Sequence, residues 1–380
     1  MNSVDEALLC LIRMALGRES GAGLPQKVPW NEVYQLSIRQ NVVAIAADGL
    51  SKLYDNGGTE IQNTGIASMV DDSLFLTWLG QSMVVERLYS KYCRSLMDLN
   101  SFYSQHGLKM IILKGYALSL DYPVPSHRAP GDIDIFLQYE GTESNEPAWQ
   151  KGDALIHETF GVDIDAAHEH HTSFVFEQQM VENHYDFINT KSNRSSVWIE
   201  RELKTLSSSN LVSLAIPEAC PLWTPSANFN ALFLMRHSAQ HFAGAHIELR
   251  HLLDWGLFVE HHSDELDWEY VVKMWERMGL LRFAQCVNTI CVEYLGLNRD
   301  CFSQQFSSDN KLVQRILEDV LHPEFDEDKP QSSTLLVIGY KIRRFWANGW
   351  KRRLVFKEGL LESFVSGSLF HLRHFDTIED

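Results

Sequence analysis

The residues best placed to do chemistry are the acids of Asp132-Ile133-Asp134. Side chains alternate faces along a strand. Ile133 and Ile135 then point into a core, and Asp132 and Asp134 point together the other way. Two carboxylates one pleat apart repel each other unless a cation lies between them. Hard oxygen ligands of this kind suit Mg²⁺ or Mn²⁺, and Mg²⁺ completes its shell with water and substrate phosphates. Upstream stands Lys114-Gly115, and Arg128 follows in a loop with three prolines. A glycine lets a backbone turn approach phosphate without a Cβ in the way. Lys114 and Arg128 flank that turn as cations, and arginine can grip phosphate oxygens bidentately. The alternative for each cation is a structural ion pair with Asp132, Asp134 or Asp121. The Gly-x-x-x-x-Gly-Lys-Ser/Thr spacing of a P-loop is absent.

Further candidates lie downstream. Glu182, His184 and Asp186 share one face of an expected strand, Met180 to Ile188. His168-Glu169-His170-His171 is expected as a loop of solvated histidines, with transition-metal binding as the alternative. His237 and His241 stand one helical turn apart, as do Arg250 and Asp254, which are expected to pair. All four either pack in a core or face a ligand. Tyr340 to Lys357 interleaves seven basic residues with Phe345, Trp346 and Trp350. Such a run binds RNA or anionic lipid, or pairs internally with acidic surface.

The elements that must hold these residues are legible in outline. A strand from Leu108 to Lys114 runs through the Gly115 turn into a helix, Tyr116 to about Asp121. A second strand, Asp132 to Gln138, carries the acids. A polar loop, Gln138 to Pro147, leads to a helix from Ala148 to Phe160 that stops at Gly161. Strands Ser173–Phe176 and Met180–Ile188 complete a mixed sheet with helices on one side. Before it, one helix is expected from Trp30 to Tyr54, broken at Asp55-Asn56-Gly57-Gly58. Another runs from Asp72 to His106 and stops at Gly107. Behind the sheet, Ser207 to Asn210 and Pro217 to Pro225 read as a linker, and Asn228 to Leu297 reads as helical. His322 to Ser333 reads as an exposed loop and the remainder as helix. The fold class expected is α+β: a small mixed sheet in residues 108–205, between helical regions 1–107 and 206–380.

The strand, glycine turn, helix and Asp-x-Asp strand resemble the core of the DNA polymerase β-like nucleotidyltransferase superfamily. The usual form has a Gly-Ser pair, where this chain has Lys114-Gly115-Tyr116. Leu-Lys-Gly, a later Arg and then Asp-Ile-Asp-Ile are similar to the uncharacterised nucleotidyltransferase family, a branch of long bacterial proteins. That resemblance implies an Mg²⁺-dependent transfer of a nucleoside monophosphate from an NTP to an acceptor hydroxyl. The acceptor could be a protein side chain, an RNA end or a small molecule. It also implies that a Glu-x-His strand supplies a third carboxylate, as metal ligand and general base. Glu182-Asn183-His184 matches that pattern, with Asp186 as the other candidate.

Composition narrows the alternatives. At 45% hydrophobic and 22% charged residues the chain is an ordinary globular one. A formal net charge of −17 argues against a bulk nucleic-acid binder, but not against a nucleotide whose phosphates are neutralised locally. Six scattered cysteines with no Cys-x-x-Cys read as reduced core thiols of a cytoplasmic protein. No apolar run reaches the ~20 residues that span a bilayer, and the acids early in the N-terminal helix do not fit a signal peptide. Two rival classes stand beside the enzyme. One is a catalytically silent binding or scaffold protein of the same fold. The other, a helical metal phosphohydrolase built on His237, His251 and Asp254, lacks a contiguous His-Asp pair.

Overall fold

A single six-stranded mixed sheet, in the order β3-β4-β2-β1-β6-β5, carries the acids at its centre. The computed structural model describes residues 1–55, 70–141, 145–190, 194–207, 211–214, 220–325, 334–357 and 359. Residues 56–58 of the expected break, parts of the expected 138–147 and 207–225 segments, 326–333 of the expected acidic loop, and 358 and 360–380 of the helix expected to the end lie outside them.

Strand β1 (Leu108–Ile112) pairs antiparallel with β2 (Ile133–Tyr139), Ile112 opposite Ile135. β2 pairs parallel with β4 (Gln179–His184), which puts Asp134 opposite Glu182. β3 (His171–Phe176) borders β4 and sets His171 opposite His184. The strand expected to reach Ile188 therefore ends at His184. There the amides of Tyr185 and Asp186 turn to donate to the His170 carbonyl. The expected linker also contains sheet. β6 (Leu222–Thr224) lies parallel to β1, and β5 (Val212–Leu214) forms the edge beyond it. Three-residue strands, one of them flanked by Pro221 and Pro225, carry too little pattern to be read ahead of a structure.

Alternation along the strands sorts the two faces. Met110, Ile112, Ile133, Ile135, Leu137 and Val181 pack in one buried cluster with Tyr92, Leu96, Leu99 and Tyr103 of the long helix α4 (Asp72–Gln105). Leu155 and Ile156 of α6 (Ala148–Phe160) join them. Asp71 caps the start of α4 by accepting from the Leu74 amide, and α6 ends at Gly161 in the left-handed conformation. The opposite face is covered as well, so helices flank the sheet on both sides rather than one. There Phe136 meets Phe187 at 4.7 Å between ring centroids, and Phe187 meets Phe229 of α8 (Ala227–Gly244) at 4.8 Å. The buried cluster on this side runs on without a break. It extends into α1 (Ser3–Ala15), α2 (Trp30–Arg39), α3 (Val43–Asp55), α7 (Arg194–Ser207), α9 (Leu249–His262), α10 (Trp268–Met278), α11 (Leu281–Glu293) and α12 (Asn310–Leu321).

Two local features position the helical wall. The single helix expected from Trp30 to Tyr54 is broken at Asn41, whose φ of 52° turns the chain between α2 and α3. Asparagine tolerates this conformation better than most residues. The break sends α3 back along α1, where a Cβ on Gly49 would lie 2.0 Å from the Leu11 carbonyl oxygen. The turn also aims Gln40 at the C-terminal half. Its Oε1 accepts from the Leu249 amide at 2.8 Å and its Nε2 donates to the Val320 carbonyl at 2.9 Å. The first turn of α9 is thus held in place from another helix.

Much of the basic run is used internally. α13 (Thr334–Ala347) and α14 (Gly349–Val355) bring Arg344 onto the Gly244 carbonyl at 2.6 and 2.8 Å. Lys351 reaches the Ala245 carbonyl and Asp319. These cations satisfy the negative end of α8. Arg343 faces Glu324 at 3.9 Å, and Arg352 lies over Phe345 and Phe356. The six cysteines are free thiols, three of them buried. No helix of the described residues is long and apolar enough to cross a membrane.

One pH effect follows from the packing of α9 against the turn after α5 (Tyr116–Ser119). His262 bridges Asp121, 3.2 Å away, and Glu265, 3.1 Å away. The hydrogen bond to Asp121 outweighs burial and raises the imidazole to about 8. A folded-state pKa above the unfolded one stabilises fully below the unfolded value and is lost as pH rises through the folded value. His262→Gln should therefore lower the melting temperature near about pH 6 more than near about pH 9. An equal loss at both pH values would show that the contact is packing alone.

Candidate active site

The strand pair and the helical wall enclose a cavity of about 350 Å³. Its floor carries Lys114, Asp132, Asp134, Glu182 and His184, and its wall carries His237, His241, Arg250, His251 and Asp254. The parallel β2–β4 register brings Asp134 and Glu182 side by side, because residues opposite each other in paired strands point the same way. Asp134 is 4% exposed. Its Oδ1 takes Lys114 Nζ at 2.8 Å and His184 Nε2 at 3.2 Å. His184 Nε2 also reaches Glu182 Oε2 at 3.4 Å. Asp134, Glu182 and His184 offer ligand atoms within 4.8 Å of one another. Asp132 lines the same cavity from just before β2 but stands exposed, outside that group.

Electrostatics separate the two aspartates. Burial works against the Asp134 carboxylate, but the Lys114 charge and the His184 hydrogen bond outweigh it and hold the pKa well below the usual carboxylate range. Asp132 is raised, first by loss of water on its cavity side and then by the Glu182 and Asp134 charges. Burial depresses His184, yet its hydrogen bonds to Asp134 and Glu182 prevail and lift it to about 9. Glu182 is lowered, its His184 hydrogen bond outweighing burial. Near neutral pH Asp134 and Glu182 are ionised, answered by Lys114 and a protonated His184. The hard oxygen donors gathered on this floor fit a divalent ion such as Mg²⁺ or Mn²⁺.

Gly115 lines the cavity with φ 60° and ψ −105°, a conformation open to glycine. Its missing Cβ makes room for protein as well as for any ligand. A Cβ there would lie 2.2 Å from Tyr92 Oη, and that hydroxyl accepts from the Tyr116 amide at 3.2 Å. The turn is thus braced from α4. Lys114 Nζ lies 3.3 Å from His237 Nε2 as well as on Asp134.

Arg128 is 4% exposed and pairs with neither of the strand aspartates nor Asp121. Its Nε and Nη2 donate to the two oxygens of Asp254, each at 2.8 Å, and Tyr122 Oη donates to Asp254 Oδ1 at 2.6 Å. This displaces the expected Arg250–Asp254 pair, since a bidentate buried contact outweighs a helix-surface one. Arg250 instead faces Glu248 at 3.7 Å. Asp254, held by Arg128 and Tyr122, is likewise engaged away from any phosphohydrolase-type metal set.

Asp186 is not beside Glu182. Past the end of β4 its carboxylate turns to Lys204. The histidines, by contrast, gather more closely than expected. His170 and His171 line the cavity rather than a solvated loop, and burial lowers them to about 3 and about 4. His237 and His241 lie 4.4 Å apart between ring centroids, their planes tilted by 57°, with His251 6.3 Å from His241. Burial pushes all three below the usual histidine value. His251 Nδ1 accepts from the Glu248 amide at 3.1 Å, so its proton sits on Nε2. Sequence reasoning missed Tyr92 and Tyr122, since nothing local marks a tyrosine as a brace. A family model described as uncharacterised nucleotidyltransferase matches residues 26–296. No curated protein and no solved structure matches.

Proposed function

Because the chain belongs to the uncharacterised nucleotidyltransferase family, we propose that it moves a nucleoside monophosphate from an NTP to an acceptor hydroxyl and depends on a divalent ion. The observation that carries the reading is the side-by-side placement of Asp134 and Glu182, with Asp132 on the same cavity floor. In this reading Asp132, Asp134 and Glu182 hold Mg²⁺ or Mn²⁺. A divalent ion bound there would supply charge that acidifies the acceptor hydroxyl and stabilises the leaving pyrophosphate.

The chain's own residues do the rest. Glu182 takes the proton from the acceptor hydroxyl as its oxygen attacks the α-phosphorus. The bond from that phosphorus to the bridging oxygen breaks, and pyrophosphate leaves with the bonding pair. Lys114 and the Gly115 turn bound the phosphate end of the cavity. Arg128 acts there through the Asp254 pair that fixes its guanidinium in the wall. His184 holds Asp134 and Glu182 in place by bridging them. Incubation with each labelled NTP and Mg²⁺, followed by mass analysis of what carries the label, tests the reading. One NTP should leave a nucleotidyl mass on a protein, RNA or small-molecule acceptor. A protein that binds NTP but labels nothing, across all acceptor classes offered, is a silent binder.

A further inference from the structure

We infer that His170, His171 and His184 form a second cation site, for a borderline-soft divalent ion such as Zn²⁺ or Co²⁺. It lies on the flank of the carboxylate floor. Each of the three offers a ring nitrogen, and those nitrogens lie within 4.8 Å of one another. Two nitrogens on one Zn²⁺ at ~2.0–2.1 Å stand about 3.4 Å apart in a tetrahedron. Nitrogens at that 4.8 Å limit would close by roughly an ångström. Imidazole selects zinc-like ions, whereas the all-oxygen set of Asp132, Asp134 and Glu182 selects Mg²⁺ or Mn²⁺.

Two further observations point to a ligand. His170 Nδ1 and His171 Nδ1 are buried and have no hydrogen-bond partner among the described residues. Buried polar atoms left so call for a partner of another kind. The rings are also held in register by backbone. His171 and His184 are directly opposed across β3 and β4. The His170 carbonyl takes the amides of Tyr185 and Asp186, which fixes His170 against the end of β4. His168 stacks on His171 at 4.5 Å and shields it from the outer side. Glu182 borders the site, 3.7 Å from His171 Nε2 and 3.4 Å from His184 Nε2. Binding through His184 Nε2 would release the proton it carries and exchange its hydrogen bonds to Asp134 and Glu182 for a metal bond.

Cobalt tests this without reference to nucleotide transfer. The chelator-stripped full-length protein, titrated with Co²⁺, should develop a visible d–d spectrum at one ion per chain, and Zn²⁺ should displace it. His170→Asn and His171→Asn, each checked by circular dichroism, should weaken Co²⁺ by ~100-fold or more. That is the upper end of what losing even an outer-shell partner costs. Asp132→Asn with Asp134→Asn should keep the cobalt spectrum. Wild-type crystals soaked in Zn²⁺ add a measurement that needs no variant: an anomalous peak between the three rings supports the site. The inference is overturned if both histidine variants bind Co²⁺ like wild type. It is equally overturned if the aspartate variant alone loses the ion, or if the anomalous peak falls between Asp132 and Asp134.

Discussion

Glu182→Gln should lose nucleotidyl transfer by about a hundredfold or more, the usual scale for removing a positioned base, while NTP still binds. Glu182 is ionised near neutral pH, because its His184 hydrogen bond outweighs the burial that opposes its charge. It can therefore accept a proton without any adjustment. A base beside a metal-acidified hydroxyl does not need a raised pKa. Glutamine keeps the size and the contact with His184, so the fold is not at stake. Asp186→Asn is the matched control. Its carboxylate lies beyond the strand, on the half-exposed Lys204, and such a pair contributes ~0–1 kcal/mol. Single-turnover transfer by the two variants separates them. If Asp186→Asn stops transfer and Glu182→Gln does not, the assignment of the base is wrong.

The second large effect is on stability. Arg128→Ala should destabilise the protein by about 3–5 kcal/mol, the cost of leaving one member of a buried ion pair alone. Among the described residues Asp254, 7% exposed, would keep the Tyr122 hydroxyl as its hydrogen-bond partner. In the intact protein burial opposes the Asp254 carboxylate and the Arg128 charge outweighs it, so the pKa is lowered. A depressed carboxyl pKa contributes stability above the unfolded value. The pair's contribution is thus present at neutral pH and fades as acid protonates Asp254. Arg128→Ala should accordingly show a flatter acid limb in urea denaturation. Near-wild-type stability with NTP affinity lost tenfold or more, equivalent to ~1.4 kcal/mol, would instead make Arg128 a direct phosphate ligand.

How far the sequence led differs from residue to residue. The Asp132–Asp134 strand was legible because alternation is local and strict. So was α6, closed by Gly161, and so was the long α4 with its stop at Gly107. The neighbours of those acids were not legible from spacing, and Glu182 came only through the family resemblance. That Asp134 lies beside Glu182 depends on a parallel pairing 48 positions apart, which no local pattern encodes. Arg250 offered Asp254 a partner one helical turn away, but the residue that takes it is Arg128, 126 positions distant. Asn41 breaks a helix whose apolar spacing runs on through it. The histidine wall is visible in sequence only as scattered pairs, because β3, β4, α8 and α9 bring it together. Where packing between distant elements decides, spacing along the chain carries no vote.

Isothermal calorimetry with Mn²⁺ in the presence of NTP tests the central claim most directly. Asp132 and Asp134 stand on one cavity floor, with Asp132 raised first by loss of water and then by the Glu182 and Asp134 charges. Wild-type protein should bind Mn²⁺ together with NTP. The double variant Asp132→Asn, Asp134→Asn should show no such heat, while circular dichroism shows an unchanged fold. Unchanged Mn²⁺-NTP binding by the folded double variant would contradict the account.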